Sequence, residues 1–154
     1  MNREDFRLKK VKVEKNLVTI DYNISGSEKE YTEKSKATPH PDLRVALAKF
    51  TALVSQVFGM PEENQEAITI NGIVSTYKKD SEFALIMASY RTESGAMVAL
   101  NTPNISMDTD YWPGQEKMGE VVDDISDESF KYLFENKSSQ LEMPFTEENQ
   151  EPEE

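Results

Sequence analysis

The chain has 154 residues and a net charge of −12, with no cysteine and a single histidine. That length suits one domain whose core needs no disulfide, and the composition excludes thiolate metal sites, a cysteine nucleophile and histidine-rich zinc sites. An acidic surface repels nucleic-acid phosphate, which disfavours DNA binding by the surface as a whole but leaves room for a local basic groove or a basic protein partner.

The amino terminus is charged (Met1-Asn2-Arg3-Glu4-Asp5) and no apolar run follows, so it does not read as a signal peptide. Basic residues then dominate: Arg3, Arg7, Lys9, Lys10, Lys12 and Lys15 stand against Glu4, Asp5 and Glu14. Residues 7–14 and 17–24 read as a hairpin turning at Lys15-Asn16. In its second arm Val18, Ile20, Tyr22 and Ile24 alternate with polar residues, the pattern of a strand with one wet face. Residues 28–36 are nearly all charged and read as an edge or loop.

Residues 41–58 carry the strongest signal. Leu43, Ala46, Leu47, Phe50, Leu53, Val54 and Val57 recur at the spacing that lines one face of an α-helix. Pro39 and Pro41 suit the helix entrance, Asp42 complements the dipole, and Gly59 and Pro61 close the far end. Three strands are expected next, at residues 67–78, 82–92 and 96–100. Gly72 marks a bulge or a close backbone approach, and the doubly apolar run Phe83-Ala84-Leu85-Ile86-Met87-Ala88 suits a central strand. Val121, Val122 and Ile125 suggest a short helical turn. Ser126, followed by Asp127 and Glu128, reads as the start of a separate helix carrying Phe130, Leu133 and Phe134.

The order β-β-α-β-β-β-α predicts an α+β fold, an antiparallel sheet packed against one long amphipathic helix. Residues 2–136 form the expected domain. Residues 137–154 form an expected acidic, disordered tail, too polar to offset the entropy of ordering. The core is expected to include Val18, Ile20, Leu43, Leu47, Phe50, Val54, Val57, Ile70, Leu85, Met87, Val98 and Phe134.

No catalytic constellation emerges, and no enzyme activity, cofactor or metal is expected. His40 has no nucleophile spaced beside it and reads as part of a rigid helix entrance. The acids Asp108, Asp110, Glu116, Glu120, Asp123, Asp124, Asp127 and Glu128 lack the offsets of a calcium loop and read as a solvated face. Glycine-rich phosphate loops and the Gly-x-Ser-x-Gly elbow are absent. Two binding patterns remain. Arg7, Lys9, Lys10 and Lys12, with Tyr77-Lys78 and Tyr90-Arg91, interleave cations and rings as single-stranded DNA binding requires. In the tail, Met143, Pro144 and Phe145 precede Glu147 and Glu148, an apolar knot among acids that suits docking on a protein partner.

Pro39-His40-Pro41-Asp42-Leu43 opening an amphipathic helix, and Leu100-Asn101-Thr102-Pro103 after a strand meander, resemble a set of small uncharacterised phage and prophage proteins. That resemblance implies bacterial-virus origin and a setting among early, DNA-metabolism genes, and it carries no activity or catalytic residue; with a charged start and no apolar run long enough to span a bilayer, the expected place is the bacterial host cytoplasm. The expectation is a non-enzymatic phage accessory protein that binds a host or viral protein, with a single-stranded-DNA-binding protein as the alternative.

Overall fold

The computed structural model describes residues 1–138. Strands β1 (Phe6–Glu14), β2 (Leu17–Ile24) and β3 (Glu30–Ser35) form an antiparallel meander. Helices α1 (Pro41–Ala48) and α2 (Thr51–Val57) follow, then β4 (Ile68–Lys78), β5 (Ser81–Arg91), β6 (Met97–Ala99), β7 (Ile105–Ser106) and α3 (Met118–Phe134). The strands run β3-β2-β1-β4-β5-β6, with β7 also paired to β5, so the first strand of the chain lies in the middle of the sheet. The architecture is α+β with an antiparallel sheet.

One face of the sheet carries the core. Val11, Val13, Ile20, Ile70, Ile73 and Ile86 are buried there with Leu43, Leu47, Phe50 and Val54 from the first helices and Ile125 and Phe130 from α3. Fully burying one such side chain is worth roughly 1.5–3 kcal/mol. Period two decides which strand residues enter. On β5, Ala84, Ile86 and Ala88 are buried, so the alternate Leu85 and Met87 are only partly covered. Both were expected in the core. Val57 is likewise only partly buried, while Val98 and Phe134 are exposed at 45% and 37%.

Two further expectations are corrected. The main helix breaks after Ala48, where the Lys49 and Phe50 amides bond three residues back, to Ala46 and Leu47. The Thr51 hydroxyl donates to the Ala48 carbonyl at 2.8 Å, and burial of Phe50 holds the tightened turn. Ser126 starts no helix. It lies inside the 17-residue α3, because the buried face from Met118 through Val122 and Ile125 to Phe130 runs straight through it, with Ser126 and Ser129 themselves buried. Of the two alternatives for the charged segment after Ser27, edge or loop, the structure has the edge: it supplies strand β3, whose Tyr31 stacks on Tyr22 with ring centroids 5.2 Å apart.

Among the described residues, no helix is long and apolar enough to cross a membrane. The residues from 139 onward, including Met143, Pro144, Phe145, Glu147 and Glu148, lie outside the described residues.

Candidate functional site

Where β1 meets β4 the sheet is half closed and half open. Lys10 pairs with Val74, Val11 with Ile73 and Lys12 with Gly72. At Gly72 the approach is so close that a Cβ would overlap the Val11 carbonyl oxygen and stand 2.8 Å from the Lys12 Cα. Gly72 also sits where the β4–β5 register shifts, so both roles expected for it apply.

Toward the start of β1 this pairing ends. A register shift between Leu8 and Lys10 bends β1 while it stays on β2, and β4 stays on β5 as far as Lys78. The strands part around a cleft of about 820 Å³. Phe6, Arg7, Leu8 and Lys9 line one wall, Ser75, Thr76, Tyr77 and Lys78 the other, and Val122, Asp123 and Ser126 of α3 the floor. Alternation sorts the walls by face. Phe6 is buried toward α3, where its ring meets Phe130 at 5.5 Å, and Ser75 is buried on the same side of the sheet. The alternate residues Arg7, Thr76 and Lys78 therefore belong to the opposite face.

The charges in the cleft are unevenly committed. Arg3 donates to Asp127 at 2.6 Å, and Lys9 to Glu30 at 3.1 Å. The Arg7 guanidinium donates to the backbone carbonyls of Glu4 and Phe6, at 2.7 and 3.2 Å. Among the described residues neither Arg7 nor Lys78 has a carboxylate partner. Glu82 accepts from the Ser75 and Tyr77 hydroxyls, each at 3.3 Å. Tyr77 is 70% exposed, and its phenol pKa lies above the ordinary value, first through desolvation and then through the charge of Glu82. The Thr76 hydroxyl oxygen is buried and has no hydrogen-bond partner among the described residues.

Of the residues expected to bind DNA, the cleft gathers Arg7, Lys9, Tyr77 and Lys78. Lys10 and Lys12 belong to the closed half. Tyr90 and Arg91 are elsewhere, because the hairpin is antiparallel: Tyr77 lies opposite Glu82, whereas Tyr90 lies opposite Ile68. From 82 to 90 along β5, at about 3.3 Å per residue, the backbone positions of the two tyrosines are separated by roughly 26 Å. They do not form one stacking platform. Sequence reasoning missed Arg3, Phe6 and Glu82 as cleft residues and read Asp123 only as part of a solvated acidic face; Arg3 was visible in the basic amino-terminal run, Glu82 joins through the β4–β5 hairpin, and Phe6 and Asp123 join through the β1–β4 pairing and the packing of α3.

The acidic stretch along α3 is drawn into ion pairs. Asp124 accepts from Lys49 at 2.8 Å, and Lys137 donates to both Asp42 and Glu128, at 2.8 and 3.1 Å. Among the described residues, no group of three or more His, Asp or Glu side chains is placed to hold a metal ion. His40 caps α1, its Nδ1 accepting the Asp42 amide at 3.1 Å. No family model matches the chain, and neither the curated proteins nor the solved structures contain a significant match to it.

Proposed function

We propose that this is a non-enzymatic phage accessory protein whose β1–β4 cleft docks an acidic segment of a host or viral protein. The observation that carries the reading is the opening of the sheet between β1 and β4, with Arg7 and Lys78 on its walls and no carboxylate partner for either among the described residues. A cation held at the mouth of a partly apolar cleft suits a charge-assisted contact to a carboxylate. The phage setting rests on the resemblance of the segments around His40 and Asn101 to phage proteins, and with it a place in the bacterial cytoplasm.

Single-stranded DNA is the second reading, favoured by Arg7, Lys9, Tyr77 and Lys78 sharing one cleft. Asp123 and Glu82 inside the same cleft oppose a polyphosphate, and separation of the two tyrosines removes the second stacking face.

The test is affinity capture from infected cells with the full chain and with its Arg7→Glu, Lys78→Glu double variant. The reading expects a specific protein recovered by the former and lost from the latter. Equal recovery, or none by either, overturns it. Fluorescence anisotropy of labelled oligothymidylate at low salt decides the alternative: a flat titration removes DNA, and saturable binding weakened by the double variant installs it.

A further inference from the structure

Among the described residues, two strand edges lack a strand partner where the cleft opens. β1 has β2 on one side only before Lys10, and β4 has β5 on one side only after Val74. Such edges are templates for another strand, and proteins normally cover or guard them. The outer edge strand β3 shows a guard, with Glu30, Glu33 and Lys34 along it. The inner edge at Ser75, Thr76, Tyr77 and Lys78 faces a cleft instead.

We infer that the cleft takes a partner's peptide as one extended strand, hydrogen-bonded to the free edge of β4, with acidic and apolar side chains alternating along it. This rests on the reading of the cleft as a protein-docking site and adds how the segment is held. β4 is the template because its course there is regular, whereas β1 carries its irregularity next to Lys9. An added strand shares faces with its neighbour, so its side chains alternate between two surroundings. On the side facing away from α3, an acid meets Arg7 and Lys78. On the side facing α3, an apolar residue meets Phe6, Leu8 and Val122. Glu82 and Asp123 repel an acid at the inward positions, which fixes the phase of the alternation. Sugar–phosphate lacks the evenly spaced N–H donors that a strand edge pairs with, so the same geometry selects peptide over nucleic acid.

The probe is a synthetic peptide alternating Glu with Leu and Val, titrated into the isotopically labelled full chain. Its controls are the same peptide N-methylated at alternate residues, which removes donors on one edge and then on the other, and oligothymidylate. The expected result is at least tenfold slower amide exchange at the β4 edge on binding, and at least tenfold weaker binding by one of the two N-methylated forms. Arg7→Gln weakens binding and lowers its salt dependence. Equal binding by all forms, or no change in amide exchange at Ser75, Thr76, Tyr77 and Lys78 at millimolar peptide, overturns strand addition. If Arg7→Glu, Lys78→Glu still abolishes capture of the cellular partner, docking at the cleft stands without it; if capture is unaffected, both readings fall.

Discussion

The two halves of the β1–β4 seam are made by the same strands and differ in what each residue allows. In the closed half Gly72 has no side chain, the backbones approach to contact, and Ile73 is fully buried beneath them. In the open half Thr76 and Tyr77 carry side chains with polar ends, β1 bends at its register shift, and α3 shows through the gap. The first half is fixed by packing. The second is shaped by the absence of a neighbour, and function is assigned to it.

Substitutions that divide the halves test this contrast. Ile73→Ala removes a fully buried side chain from the closed half and is expected to cost roughly 2–5 kcal/mol by chemical denaturation. A loss like that of a surface position, within about 0.5 kcal/mol, would mean the seam is not packed there. Gly72→Ala forces a methyl group into the Val11 backbone and is expected to cost about 1–3 kcal/mol, with altered amide signals in both strands. Thr76→Val, in the open half, goes the other way. It removes a buried hydroxyl oxygen that has no partner among the described residues and is expected to gain about 1 kcal/mol. A loss of similar size would show that the hydroxyl has a partner in solution.

Acid titration adds a contact outside both halves. Asp42 is held below its ordinary carboxylate pKa of 3.8, first by the hydrogen bond from Lys137 and then by the Lys137, His40 and Lys131 charges. A folded-state pKa below the unfolded one means that this stabilisation is complete above that ordinary value and is lost as pH falls through the folded one. The contact is solvent-screened and its effect is expected to be the smallest of the set. Asp42→Asn should flatten the acid limb of stability in the parent and in Thr76→Val alike; flattening in only one would tie the ion pair to the cleft.

Local patterns made the closed half legible. Alternation in β2, the doubly apolar run of β5 and the glycine at 72 each report a residue's own surroundings. The helix break was hidden because the apolar spacing of residues 41–58 runs straight through Lys49 and Phe50, while the amide bonds back to Ala46 and Leu47 and the Thr51 hydroxyl on the Ala48 carbonyl that mark it leave no trace in that spacing. Ser126 misled for a related reason: serine before acids is a helix start when exposed, and here it is buried within α3. The cleft was only half legible. Arg7, Lys9, Tyr77 and Lys78 could be named from composition, but their separation from Tyr90 follows from antiparallel pairing. The floor of α3 follows from tertiary packing, which no local window encodes.

The place of β1 in the sheet governs the order in which the protein can be assembled on the ribosome. The meander of β1, β2 and β3 is complete early, but the remaining neighbour of β1 is β4, which ends at Lys78. At about 5–20 residues per second, the residues from 15 to 78 take roughly 3–13 s to add. Through that interval the edge that will receive Gly72 is bare in the nascent chain. Lys10 and Lys12, on the same stretch of backbone, place charge along that waiting edge and hinder its pairing with a second nascent chain.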